Sequence, residues 1–219
     1  MLNVCVQQNL RGLLVDLNLT STENKPLILV GAGGHARSTL DVIFESNQYS
    51  VSGFLDDSIP RGTCVLGSPV LGPVSLLAEF VGSHRFVIAI GKIGGSLTRR
   101  QIAEQCWSAG GSLETVISPM AYVSPRAHVG EGSTVFHGAV VNSGAVVGSN
   151  CIINSQALIE HDVSVGNHTH VSTGVLINGE CQLGQDVFVG SGAVLHHKVE
   201  LADGTVVSAG QVISRSLRQ

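Results

Sequence analysis

Of the nine histidines in this 219-residue chain, His161 has the setting best suited to proton transfer. It stands between Glu160 and Asp162, and an adjacent carboxylate can fix the tautomer of an imidazole and raise its basicity. With an ordinary pKa of roughly 6.5, such a ring serves as a base near neutral pH. His161, backed by Asp162 and Glu160, is therefore a candidate to take a proton from an attacking nucleophile. His170 follows nine residues later. Seven of the histidines lie beyond residue 120, and most of these read as solvated surface residues.

A second feature with chemical meaning lies nearer the start. Residues 26–34 read PLILVGAGG, an aliphatic run ending in a glycine turn, and His35 to Asn47 has helical spacing. The segment Gly31-Ala32-Gly33-Gly34-His35-Ala36 fits GxGxxA between a strand and a helix. Glycines there let the backbone approach a diphosphate, whose charge the helix N-terminus favours. Asp56 follows about twenty residues on, at a strand end, where a carboxylate can hold a ribose or a base. The plainer alternative is that Gly33 and Gly34 only let the strand and helix pack closely.

The elements that must position these residues fall into two kinds. Tyr49–Leu55 and Phe86–Ile90 read as strands, while 74–81 and 97–107 read as helices. Alternating β and α elements predict a small parallel sheet, a Rossmann-like domain over residues 25–112. Its roughly 90 residues suit a single nucleotide better than a full dinucleotide. Residues 1–24 form an N-terminal extension without a recognisable element.

From Ile117 onward a different rule holds. Stepping by six residues to Ile213 meets an aliphatic side chain at all seventeen positions. Small or β-branched residues recur four places after each, as at Ala139, Ala145 and Cys151. A period of six fits neither an amphipathic helix nor an alternating strand. It predicts short strands joined by tight turns into a three-faced β-helix of 18-residue coils over residues 113–219. Irregular strands of a β-sandwich would not keep an unbroken frame.

Composition agrees. Aromatic residues are 4% of the chain and charged residues 13%, with 27 glycines, as suits stacked strands packed on Val, Ile and Ala. A net charge of −4 supplies no basic footprint for nucleic acid. No apolar run is long enough to span a membrane, and no secretory pattern is visible. The five cysteines lack CxxC spacing and read as reduced packing thiols of a cytoplasmic protein.

Taken together, GAGGHAR (31–37), FLDD (54–57), AIG (89–91), IEHD (159–162) and HTHVSTG (168–174) resemble one branch of the hexapeptide-repeat acyltransferases. That branch comprises nucleotide-sugar N-acetyltransferases of bacterial glycan assembly and the related sialic-acid O-acetyltransferases. The resemblance implies a left-handed β-helix, although right-handed crossovers are the general rule. It implies homotrimers with acetyl-CoA in the grooves between subunits, a nucleotide-linked amino sugar as partner, and no metal. By the same resemblance His161 is the general base, supported by Asp162, and His170 lies at the acetyl-CoA site. Gly179, Ser191 and Ala209 would line the coenzyme groove. His35 and Asn154 would contact the amino sugar, and Asp56 with Asp57 the nucleotide base.

The implied reaction is N-acetylation of a nucleotide-linked 4-amino-4,6-dideoxy sugar. A backbone amide or His170 would steady the charge developing on the thioester oxygen. Sugar O-acetylation is the alternative. His161 and His170, half a coil apart, fall on different sides of one prism, so a threefold assembly would be needed to bring them together across subunits. A zinc site of the β-helical carbonic anhydrase kind would need three converging histidines. His161 and His197 lie two full coils apart, too far to share one ion. A non-enzymatic scaffold would leave the glycine loop and the IEHD segment without a task.

Overall fold

The computed structural model describes residues 26–92 and 98–217. The N-terminal sheet is built from β1 (Leu27–Val30), β2 (Val51–Leu55), β3 (Cys64–Val65), β4 (Ser68–Gly72) and β5 (Arg85–Ile88). Its strand order is β3-β4-β2-β1-β5, parallel except for the β3–β4 pair. All four residues of β1 are buried, as a central strand covered on both faces requires. Helix α1 (Gly34–Ser46) follows β1 directly and buries Ala36, Thr39, Leu40, Val42 and Ile43 on one face. The segment read as a helix over 74–81 is a 3₁₀ turn (Val74–Leu76) followed by one α-turn, α2 (Leu77–Phe80). Helix α3 (Thr98–Ser108) closes the domain.

The β3–β4 hairpin has no clear signature in the sequence. Gly67, Pro69 and Gly72 look like punctuation in the sequence. Gly53 explains the fit of β4 on β2: a Cβ there would lie 2.3 Å from the Pro69 carbonyl oxygen.

Beyond residue 115 come seventeen two-residue strands, β6 (Val116–Ile117) to β22 (Val212–Ile213), one every six residues. Each pairs in parallel with the strand 18 residues away, as Val141 does with Ile159. They form a left-handed β-helix with three faces. The first face holds β6, β9, β12, β15, β18 and β21; the second holds β7, β10, β13, β16, β19 and β22. The third holds β8, β11, β14, β17 and β20. The second residue of every strand is the aliphatic one of the repeat, and from Val135 onward all are buried in one continuous core.

Corners carry the turns. Every sixth residue from Gly132 to Gly210 has a positive φ, taken by glycine or by a short run of tolerated side chains, among them Asn150, Asp162, His168 and Asp186. At the corner between third and first faces the coils touch: a Cβ on Gly166 would lie 2.5 Å from the Gly184 carbonyl carbon.

The N-terminal domain rests on that corner and the first face through two buried cations. Arg99 donates to the carbonyls of Gly132 and Asn150 (3.2 and 3.3 Å) and to those of Ile88 and Ile90 in its own domain. Lys92 donates to the carbonyls of His168 (3.0 Å) and Asp186 (2.6 Å) and to the Asp186 carboxylate. Residues 132, 150, 168 and 186 are equivalent positions of four consecutive coils, so each cation bridges two. Full burial lowers the Arg99 pKa only to about 10, so it stays charged. Its lack of a carboxylate partner is met by carbonyl dipoles.

The thiol expectation holds for Cys106, Cys151 and Cys181, which are buried and free; Cys64, in contrast, is disulfide-bonded.

Candidate active site

His161 occupies the corner between the second and third faces, in the turn after β13 (Leu158–Ile159). Its Nδ1 donates to Asp162 Oδ2 at 2.9 Å, and its side chain is 54% exposed. Asp162 sits at φ 59°, a left-handed conformation that Asp tolerates better than most residues. That turn swings its carboxylate beside the ring. The bond to Asp162, with the nearby charges of Glu160 and Glu180, holds the His161 pKa above its ordinary value. With Nδ1 committed, Nε2 carries the free lone pair.

Glu160 plays a different part. Its Oε2 accepts from the Asn142 amide (3.0 Å) and from the backbone N–H of His161 (3.2 Å). It therefore braces the turn and does not reach the ring, as Asp162 does.

One coil further along the same corner is Gly179. A Cβ there would stand 2.6 Å from His161 Nε2, so the absence of a side chain keeps the basic nitrogen open. An open cleft continues from this point, lined by Glu160, His161, Asn178, Gly179, His196, His197 and Ser214. His197 pairs with Glu180 at 3.3 Å. Among the described residues no group of three His, Cys, Asp or Glu side chains could hold a metal ion.

His170 lies elsewhere, on β15 (His170–Val171) of the first face, beneath the N-terminal domain. It is 7% exposed. Its Nδ1 is 2.6 Å from the Lys92 carbonyl oxygen, and its Nε2 faces Asn154 Nδ2 (3.4 Å) and Ser172 Oγ (3.5 Å). Burial lowers its pKa to about 4. Asn154 and Ser172 belong to the corner between first and second faces. Ser191 and Ala209 lie exposed further along this same corner, away from the Gly179 corner. Within one chain the residues expected along the coenzyme therefore flank the second face on its two sides.

The glycine loop sits at the carboxyl end of β1. Gly31, at φ 97°, is required by the fold, since a Cβ would strike Ile90 at 2.5 Å. Gly33 and Gly34 are not: an added Cβ on either meets nothing within 4 Å. Close strand–helix packing therefore does not account for them. Helix α1 begins there without a side-chain cap or an acidic first turn, leaving first-turn amides open to an anion. His35 reaches the β-helix, with its ring 5.3 Å from that of Phe136. Its Nε2 is buried without a partner, and burial, then the charges of Arg99 and His170, lower its pKa to about 3.

Asp56 is more occupied than its expected role of holding a base requires. One oxygen accepts from Ala32 N (2.8 Å), the other from Ser58 N (2.8 Å) and Ile59 N (3.1 Å). It ties the glycine loop to the end of β2. Asp57 uses Oδ1 to accept from Val74 N (2.8 Å) and is otherwise exposed. Neither Lys92 nor Arg99 stands out by residue type or spacing.

A β-helix of six-residue turns with an exposed, carboxylate-backed histidine, joined to a small α/β domain with an open glycine loop, defines a hexapeptide-repeat acyltransferase. Comparison with known proteins narrows this. Residues 26–106 match the PglD N-terminal domain family. The acetyltransferase domain of PglB from Neisseria gonorrhoeae FA1090 is 32% identical over 90% of this chain and 94% of its own, with a TM-score of 0.83. The same domain is known in complex with acetyl coenzyme A. A variant of perosamine N-acetyltransferase from Caulobacter crescentus, in complex with CoA and GDP-perosamine, is 30% identical over 88% of this chain and 90% of its own, with a TM-score of 0.81. WeeI from Acinetobacter baumannii AYE, at 21% identity and a TM-score of 0.77, shares the fold. No curated protein sequence gives a significant match. The chain belongs to the hexapeptide-repeat sugar N-acetyltransferases that carry a PglD-type N-terminal domain. No helix among the described residues is long and apolar enough to cross a membrane.

Proposed function

We propose that this protein transfers the acetyl group of acetyl-CoA to the amine of a nucleotide-linked 4-amino-4,6-dideoxy sugar, working as a homotrimer. The observation that carries this reading is His161: Nδ1 bound to Asp162, Nε2 bare, and Gly179 leaving the space in front of it empty. An amine that attacks a thioester must lose a proton, and Nε2 is the group placed to take it. The glycine loop, with its open Gly33 and Gly34 and the α1 amides, suits a nucleotide diphosphate. The cleft beyond Gly179, edged by Asn178, His196 and Ser214, suits an extended amide-bearing arm such as that of coenzyme A. A backbone N–H along this corner is the natural donor to the thioester oxygen.

The trimer reading rests on the second face. Its outward residues, Tyr122, Val140, Leu158, Leu176, Val194 and Val212, form an unbroken apolar column. Leu176 is 41% exposed and Val212 61%. A column of this kind marks an interface, and a second copy is its simplest occupant. His161 lies along one border of that face and Asn154 along the other. A threefold arrangement brings the His161 corner of one subunit against the Asn154 corner of the next.

The direct test is thiol release from acetyl-CoA with UDP-, dTDP- and GDP-linked 4-amino sugars and free sialic acid. Rapid release with one nucleotide-linked amine is the expected result. Release with sialic acid alone would overturn it in favour of O-acetylation. Leu176→Arg should yield monomers with little activity; an active monomer would refute the shared site.

A further inference from the structure

We infer that His170 is a positioning residue whose Nε2 acts only as a hydrogen-bond acceptor, its ring locked by Nδ1 donation to the Lys92 carbonyl so that the Nε2 lone pair orients the Asn154 carboxamide at the substrate site. The inference rests on the proposed function for what Asn154 faces, but not for the state of the ring.

The argument begins with proton inventory. The Lys92 carbonyl has no hydrogen to give, so the 2.6 Å contact requires the proton on His170 Nδ1. A neutral imidazole carries one proton, and Nε2 is then bare. Its neighbours agree. Asn154 Nδ2, at 3.4 Å, has only hydrogens to offer, and the Ser172 hydroxyl at 3.5 Å can donate. A second proton on the buried ring would face the cationic Lys92 and Arg99, and burial lowers its pKa to about 4.

The lock is itself anchored. Lys92 Nζ holds the carbonyls of His168 and Asp186 and the Asp186 carboxylate, and Arg100 donates to the same carboxylate at 2.6 Å. The edge of Phe188, with ring centroids 5.3 Å apart, limits rotation of the imidazole. At the other end Asn154 Oδ1 accepts from Ser155 N at 2.8 Å. The carboxamide is thus held at both ends, one N–H turned to His170. Its second N–H remains a fixed donor at the corner where the neighbouring His161 is proposed to arrive. His170 therefore cannot donate to the thioester oxygen, and that task falls to a backbone amide.

The state of the ring can be read in the intact protein by long-range ¹H–¹⁵N correlation of the histidine nitrogens, with the His170 signals assigned by their loss in His170→Asn. The expected result is a single neutral tautomer, Nδ1 protonated and Nε2 bare, from about pH 8 to about pH 5, where an ordinary histidine has titrated. A protonated Nε2, or titration near the ordinary value, would overturn the lock. This measurement needs no substrate, so its failure is distinct from a wrong acceptor sugar. The orienting step is tested by kinetics with the acceptor that releases thiol. His170→Ala and Asn154→Ala should each lower kcat by roughly 10²-fold, with an unchanged KM for acetyl-CoA, and the double variant should lose no more than either single one. Losses that multiply would show that the two residues act separately.

Discussion

His161 and His170 make the same hydrogen bond and end in opposite states. In both, Nδ1 donates to an oxygen and Nε2 is left with a lone pair. For His161 the oxygen belongs to a carboxylate at an exposed corner, which makes the ring easier to protonate. For His170 it is a peptide carbonyl under a folded domain, and burial disfavours the charge. The comparison teaches that the partner's charge and the access of water, more than the hydrogen bond, decide what an imidazole can do. On the proposed mechanism one ring accepts a proton in turnover, while the other only holds a direction.

Removing the basic ring should break the comparison most severely. His161→Ala is expected to lower kcat by about 10²–10⁴-fold, with little change in coenzyme affinity measured by calorimetry. Unchanged turnover would take His161 out of the mechanism. Gly179→Ala comes next. Its Cβ would stand 2.6 Å from Nε2, so the ring must move, and a displacement of that order costs roughly 10²-fold. Steady-state rates beside a crystal structure of the variant would check both halves of the statement.

A finer test uses pH. Asp162 raises the His161 pKa, and on the proposed mechanism the ring works unprotonated, so turnover should rise with pH through a value above the ordinary one of roughly 6.5. Asp162→Asn should move this limb towards lower pH. A limb that stays in place would mean another group sets it. Stability supplies the smallest effect and separates the two rings by sign. His170 and His35 have folded-state pKa values lowered to about 4 and about 3. Below the unfolded value the unfolded chain binds more protons. Folding stability should therefore decline as pH falls from 6.5 towards 4, by at most about 1.4 kcal/mol per pH unit for each ring. His161, raised instead, contributes in the other sense: its stabilisation is present at low pH and lost as pH rises through its folded pKa. Urea unfolding at several pH values, with and without His170→Gln, would show whether the slope shrinks.

What could be read from the sequence follows from the range of each interaction. All seventeen aliphatic positions of the repeat are second residues of strands, because every coil imposes the same demand and the signal repeats. The His161–Asp162 pair was legible because the two residues are neighbours in the chain. Glu160, its other neighbour, was equally conspicuous but turns to Asn142 and the backbone; adjacency does not say which carboxylate reaches the ring. Asp56 was expected to hold a nucleotide base, yet both its oxygens accept from backbone amides, a partner class that leaves no trace in side-chain types. The same reason hides Lys92 and Arg99. Their partners are carbonyls up to 94 residues away, and every residue has a carbonyl.

Those two cations act as a ruler. Arg99 spans residues 132 and 150, and Lys92 spans 168 and 186, marking off successive coils at one corner. Chain length in this half of the molecule is therefore quantised. An insertion of six residues would turn everything after it by one face, and only eighteen would restore the phase. Even eighteen, placed between His168 and Asp186, would pull apart the pair that Lys92 grips. Beyond Asp186 neither of these cations grips a coil, so whole turns added there would leave His161, Asn154 and the glycine loop at their distances.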